Sequence, residues 1–103
     1  MTYSVLETAA AVRDLDNIFN YIAMELNNLP AAKELADEVG QCYEKLSVAP
    51  FMYELCHDKR LNELGYRKVV IKNYVMVYRI NNEEHIVYIL RFFYGRRNYA
   101  VLL

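Results

Sequence analysis

From Tyr66 to Tyr94 the chain carries three short apolar runs separated by two turn signals, a pattern that a small β-meander satisfies. Arg67, Val69 and Ile71 alternate along the first run, and Lys72-Asn73 is the turn. The second run, Tyr74 to Ile80, sets Val75, Val77 and Arg79 on one side and Tyr74, Met76, Tyr78 and Ile80 on the other. Asn81-Asn82-Glu83-Glu84 is the second turn. The third run, His85 to Tyr94, is apolar on both faces, with Val87, Ile89 and Phe93 on one and Ile86, Tyr88, Leu90 and Phe92 on the other. Apolar residues on both faces predict a central strand.

The first half reads as helices that need this sheet. Tyr3 to Leu6 is a short strand candidate, and Thr8 is placed to cap the first helix. Leu15, Ile18, Phe19, Ile22, Leu26 and Leu29 recur at steps of three and four, an apolar stripe along that helix. Asn27-Asn28-Leu29-Pro30 breaks it, and Pro30 suits the first turn of a second one. The second stripe is Leu35, Val39, Cys42 or Tyr43, and Leu46, ending before Pro50. Phe51 to Leu64 is a charged connector with room for one helical turn. The order is strand–helix–helix–strand–strand–strand: an α+β fold in which an antiparallel helical hairpin packs on a twisted antiparallel sheet. The hairpin covers one sheet face, and the other is expected to stay partly open. Residues 1–103 are read as a single domain, since 55% hydrophobic content supports a packed core at this length.

The net charge of −1 hides an asymmetry. Residues 1–58 carry three cations against ten acids, net −7, and residues 59–103 carry nine against three, net +6. Such a split points to an acidic partner or a polyanion at the C-terminal half. No apolar run approaches the roughly 20 residues of a bilayer span, and no leader pattern opens the chain, so a cytoplasmic protein with no membrane partner is expected. Two cysteines suit buried thiols in a reducing compartment. Cys56-His57-Asp58 has no second cluster to complete a tetrahedron, so no metal is expected, and nothing implies a cofactor. With three glycines there is no phosphate-cradling loop, and there is no serine elbow. Glu34, Asp37 and Glu38 read as a solvated helix face.

The third strand runs into Arg91-Phe92-Phe93-Tyr94-Gly95-Arg96-Arg97-Asn98-Tyr99. Guanidinium and phenol groups at a rigid strand exit suit phosphates, bases or the acidic tail of a protein. Arg91, on a central strand, either pairs with a helix acid or faces the open side of the sheet. Arg96 and Arg97 are a solvated pair or contact an anionic target. Arg67 and Arg79 are candidates for the same cationic group, while Lys68 reads as surface charge. Tyr94 and Tyr99 are rim packing or functional, as ten tyrosines serve mostly for packing. His57 and His85 read as exposed and structural.

These elements, in this order, resemble the RelE/ParE superfamily of toxins from bacterial type II toxin–antitoxin modules, along nearly the whole chain. The resemblance rests on Asp14-Leu15, Asn17-Ile18 and Tyr21-Ile22 in the first helix and Pro30-Ala31-Ala32 opening the second. It continues in Gly65-Tyr66-Arg67-Lys68 and Asn73-Tyr74-Val75-Met76-Val77-Tyr78-Arg79-Ile80. It ends with Ile89-Leu90-Arg91 and Tyr94-Gly95-Arg96-Arg97-Asn98, where the family has Arg and then His-Gly-Arg-Arg-Asp. Tyr94 and Asn98 depart from that pattern. Val75 stands where ribosome-dependent nuclease members commonly have arginine. The resemblance implies growth inhibition, plasmid stabilization and silencing by a cognate antitoxin. The hairpin and the Gly-Arg-Arg ending lean to the ParE branch, whose members bind and inhibit DNA gyrase. Arg67, Arg79, Arg91, Arg96, Arg97 and Tyr99 would then contact the target or the antitoxin. The alternative is an endoribonuclease acting on ribosome-bound mRNA. In that case Arg67, Arg91, Tyr94 and Arg96 would be catalytic, tyrosine serving as base once arginines lowered its pKa from about 10. A third reading is a non-toxic, partner-binding member.

Overall fold

A computed structural model of the chain describes residues 2–95 and 99–103. Strand β1 is Ser4–Glu7, followed by helices α1 (Ala9–Asn20) and α2 (Leu29–Val48). A five-residue helix α3 (Lys59–Glu63) precedes strands β2 (Arg67–Ile71), β3 (Tyr74–Asn81) and β4 (Ile86–Tyr94), and a 3-10 turn at Tyr99–Leu102 ends the chain.

Local chemistry sets the helix ends. Thr8 accepts the Ala11 N–H at 3.2 Å and caps α1. Asn28 does the same for α2 through Ala31 N–H at 3.1 Å, with Pro30 in the first turn. Asp58 caps α3, the helical turn expected in the connector. Asn27 takes a left-handed φ of 48° between the hairpin helices. The stripe of α2 buries Leu35, Val39, Cys42 and Leu46, as its spacing predicts. The stripe of α1 buries Leu15 but is only half-buried at Ile18 and Phe19; Ile22 is buried just beyond, in the next turn. Leu26 and Leu29, expected in the same stripe, are exposed. The helix passes into a π turn over Tyr21–Glu25, and the wider turn rotates the stripe before the chain reverses.

The strand order is β1-β4-β3-β2. β2–β3 and β3–β4 form the expected antiparallel meander. The sheet is not antiparallel throughout: β1 runs parallel to β4, because the two-helix crossover returns the chain to the sheet in the direction it left. β4 lies between β1 and β3, the central place its two apolar faces predict.

β4 does not alternate strictly. Tyr78 pairs with Ile89 and Val77 with Arg91, so Leu90 is an extra residue, a β-bulge. Past the bulge the faces exchange. Phe92 joins Val87, Ile89, Met76 and Tyr78 under the helices, while Phe93 and Leu90 turn to the other side. That second face is not the open cationic floor expected from sequence. Val75, Val77 and Phe93 are buried there with Cys56 and Leu61, under α3 and the terminal residues Tyr99, Ala100 and Leu103.

Candidate functional site

The outer edge of β4 past the bulge is closed by α1 instead of a strand. β1 ends its pairing at Glu7–Ile89. Thr8 then donates its N–H to the Ile89 carbonyl at 3.0 Å and its hydroxyl to the Leu90 carbonyl at 3.0 Å. One turn and a half further on, the Asp14 carboxylate accepts the Phe92 N–H at 2.9 Å. The same carboxylate takes Arg91 Nε at 2.7 Å and Nη2 at 3.2 Å, a bidentate pair. The side chains keep 32% and 16% of their exposure, and the Asp14 bonds hold Arg91 above its ordinary pKa. Of the two fates open to Arg91, pairing with a helix acid is the one adopted.

The other cations scatter. Arg67 donates to the Tyr53 carbonyl at 2.6 Å and lies over Phe51, bracing the connector at the helix side. Arg79 sits over the Tyr88 ring at 4.3 Å, at the level of Arg67 along the strands but on the other sheet face. Arg91 reaches the Phe93 ring at 5.0 Å. Arg67, Arg79 and Arg91 therefore do not converge, each being held by local partners. Arg96 and Arg97, also assigned from sequence, lie outside the described residues, as does Asn98. Tyr99 stacks on Phe93 with centroids 5.7 Å apart. Burial, then the nearby Cys56 thiol, push the Tyr99 phenol up to about 12. That shift opposes a role as base.

Tyr94 is different. It is 62% exposed at the strand exit, edge-on to Tyr74 at 5.4 Å. Together with Tyr21 of the π turn, these two rings line a groove of about 610 Å³ between the hairpin tip and the β2–β3 turn. Ile18, Ile22, Leu26 and Leu35 give its floor, and Asn17, Asn28 and Asn73 its amide rim. Lys72 on the rim is tied to Glu34 at 2.6 Å and Glu38 at 3.0 Å, and the Glu34 bond leads in raising its pKa. The groove suits an apolar or aromatic side chain backed by neutral hydrogen bonds. Sequence reasoning missed Tyr21 and Tyr74 here, treating both as family pattern and packing. The signal available was the break at Asn27-Asn28, which leaves the last apolar residues of the first helix with nothing to pack on.

A model of the family described as the ParE toxin of the type II toxin–antitoxin system parDE matches residues 5–99. The chain belongs to the ParE toxin family. The toxin is also similar in structure to a protein of the chromosomal ParDE system from P. aeruginosa, at 18% identity and a TM-score of 0.71, covering 91% of this chain and 97% of that one. A chain of the RelBE2 toxin–antitoxin complex from Mycobacterium tuberculosis shares 28% identity at a TM-score of 0.65, covering 91% and 92%. The archaeal RelE–RelB complex from Pyrococcus horikoshii OT3 shares the fold at 16% identity and a TM-score of 0.51, covering 94% and 99%. No curated protein matches the toxin's sequence. Among the described residues no helix is long and apolar enough to cross a membrane, and no three His, Cys, Asp or Glu side chains gather as a metal site.

Proposed function

We propose that this toxin arrests growth by binding DNA gyrase, and that a cognate antitoxin silences it. The observation that carries this choice of mechanism is Val75. Family resemblance puts an arginine at this position in ribosome-dependent nucleases. Here the valine is buried on the second sheet face with Cys56, Leu61 and Phe93. Valine therefore supplies no cation to the depression of about 280 Å³ that it lines with Tyr94 and Gly95. Arg91 cannot replace it without breaking its bonds to Asp14, which would leave that partly buried carboxylate with the Phe92 N–H as its remaining donor. Among the described residues the tyrosine groove is a surface open for recognition, and its rings suit protein contact better than phosphate chemistry.

The ribonuclease reading draws on one specific feature, the exposure of Tyr94 immediately before Gly95-Arg96-Arg97. Two assays separate the readings. Purified toxin is added to a gyrase supercoiling reaction, and mRNA ends are mapped after induction in a bacterium. Lost supercoiling with intact mRNA supports the proposal. New ends within codons and unimpaired gyrase would transfer the function to mRNA cleavage. Normal growth at high soluble expression would remove toxicity altogether.

A further inference from the structure

The cover over the second sheet face stops short. α3 and the terminal turn lie over Val75, Val77 and Phe93 at one end. At the other end strand alternation turns Leu6, Arg79 and Tyr88 to this face, because their neighbours Val5, Tyr78, Val87 and Ile89 pack under the helices. Tyr88 pairs with Leu6 on one side and Arg79 on the other, so the three form one row across β1, β4 and β3. Ser4, Ile86 and Asn81 form the next row. Leu6, Ile86 and Tyr88 pack into neither core, and Leu6 is 46% exposed.

Arg79 stands in this row without an acid. Arg60, Arg67 and Arg91 spend their guanidinium groups on backbone carbonyls or on Asp14. Among the described residues Arg79 makes no ion pair and donates no side-chain hydrogen bond. Its seat over the Tyr88 ring, at 4.3 Å, uses none of its five N–H donors and holds the planar group in place. A guanidinium fixed on a ring, beside exposed apolar side chains and with its donors unspent, is preorganised for a carboxylate.

We propose that gyrase docks on this uncovered end of the sheet, through an acidic side chain that reaches Arg79 and apolar neighbours that cover Leu6 and Tyr88. Charge chooses the occupant. The two rows contain one cation and no acid, so a second copy of the toxin meeting this patch with its own would bring a like charge and no carboxylate. The apolar side chains around Arg79 suit a protein surface better than a phosphate backbone, which offers nothing to cover them. Arginine and tyrosine at the centre of such a patch are the residue types that anchor protein interfaces. This contact rests on gyrase being the target, and it names the surface and the chemistry that bind it.

The test measures binding of purified toxin to DNA-free gyrase, beside the supercoiling assay and co-purification with the antitoxin encoded beside the toxin gene. Arg79→Glu is expected to weaken gyrase binding about 30-fold or more, the scale of an anchoring arginine lost from an interface, while the antitoxin complex still forms. Leu6→Glu, at an exposed position, weakens binding too and carries the test if Arg79→Glu does not fold. Lys33→Glu makes the same change of charge as Arg79→Glu on the exposed side of α2 and leaves binding as in wild type. Wild-type affinity in folded Arg79→Glu or Leu6→Glu toxin overturns the proposal. So does loss of the antitoxin complex with gyrase binding intact, and so does binding that needs DNA, which would make the anion a phosphate. A wild-type toxin that neither binds nor inhibits gyrase sinks the gyrase reading itself, a result distinct from a binding toxin indifferent to Arg79.

Discussion

The two faces of the sheet are built by different rules. The helix face carries a broad core in which α1 and α2 bury Leu15, Leu35, Val39, Cys42 and Leu46 against Val69, Met76, Tyr78, Ile89 and Phe92. Tyr78, the largest fully buried side chain, sends its hydroxyl to the Pro50 carbonyl at 2.8 Å, and burial leads in raising its pKa. The second face carries a small core, five buried residues among those described, closed by a five-residue helix and a terminal turn. Arg60 anchors that turn, donating to the Ala100 carbonyl at 2.8 Å and to the Leu103 carbonyl at 3.4 Å. A long amphipathic helix announces the surface it covers. Short segments can bury much of a face with no periodic signal at all.

Matched deletions sharpen this contrast. Leu46 and Leu61 are both fully buried, one on each side. Leu46→Ala should cost about 4 kcal/mol, because the long helices around it cannot collapse into the void. Leu61→Ala should cost about 2 kcal/mol, because α3 is short enough to settle inward. Denaturant titration of both variants checks the pair, and equal losses would erase the distinction between a rigid core and a yielding one. Asp14→Ala, which orphans Arg91 and the Phe92 N–H at the junction of α1 and β4, should cost about 2 kcal/mol. If its midpoint matches wild type, the clamp is ornamental. Tyr99→Phe, which removes one hydroxyl contact with Cys56, should cost under about 1 kcal/mol.

The second face should also respond to alkali. The Tyr99 pKa is raised in the folded chain to about 12 from an ordinary 10. The folded state therefore holds this proton more tightly than the unfolded one. Its contribution is complete below about pH 10 and fades as pH climbs toward about 12. Phenolate absorbance of wild type and Tyr99→Phe should differ by one late-titrating group in that window.

Much of this was legible in the chain. The element order, the meander, the hairpin helices and the central place of β4 follow from period and turn residues. The bulge was not. One extra residue, Leu90, exchanges the faces beyond it, and nothing in Ile89-Leu90-Arg91 marks it, since all neighbouring positions are apolar or amphipathic. The parallel pairing of β1 was hidden for a related reason: four residues cannot show which neighbour they choose. The cationic floor failed because strand-borne arginines found partners close by, in Asp14, the Tyr53 carbonyl and the Tyr88 ring. Such pairings depend on tertiary distances that residue spacing does not encode. Arg96 and Arg97 keep their proposed role in target or antitoxin contact on sequence grounds.

Nature has put one cysteine in each core, Cys42 under the helices and Cys56 under the terminal turn, both buried and both pushed above the ordinary thiol pKa, chiefly by burial. Thiol labelling of the native toxin therefore asks directly whether the second face is closed. The expected result is that neither cysteine reacts in the intact chain, and that deleting Tyr99–Leu103 releases Cys56 while Cys42 stays protected. Labelling of Cys56 in the intact chain at the rate of the unfolded chain would contradict the account, and would reopen that face of the sheet as a surface for the target.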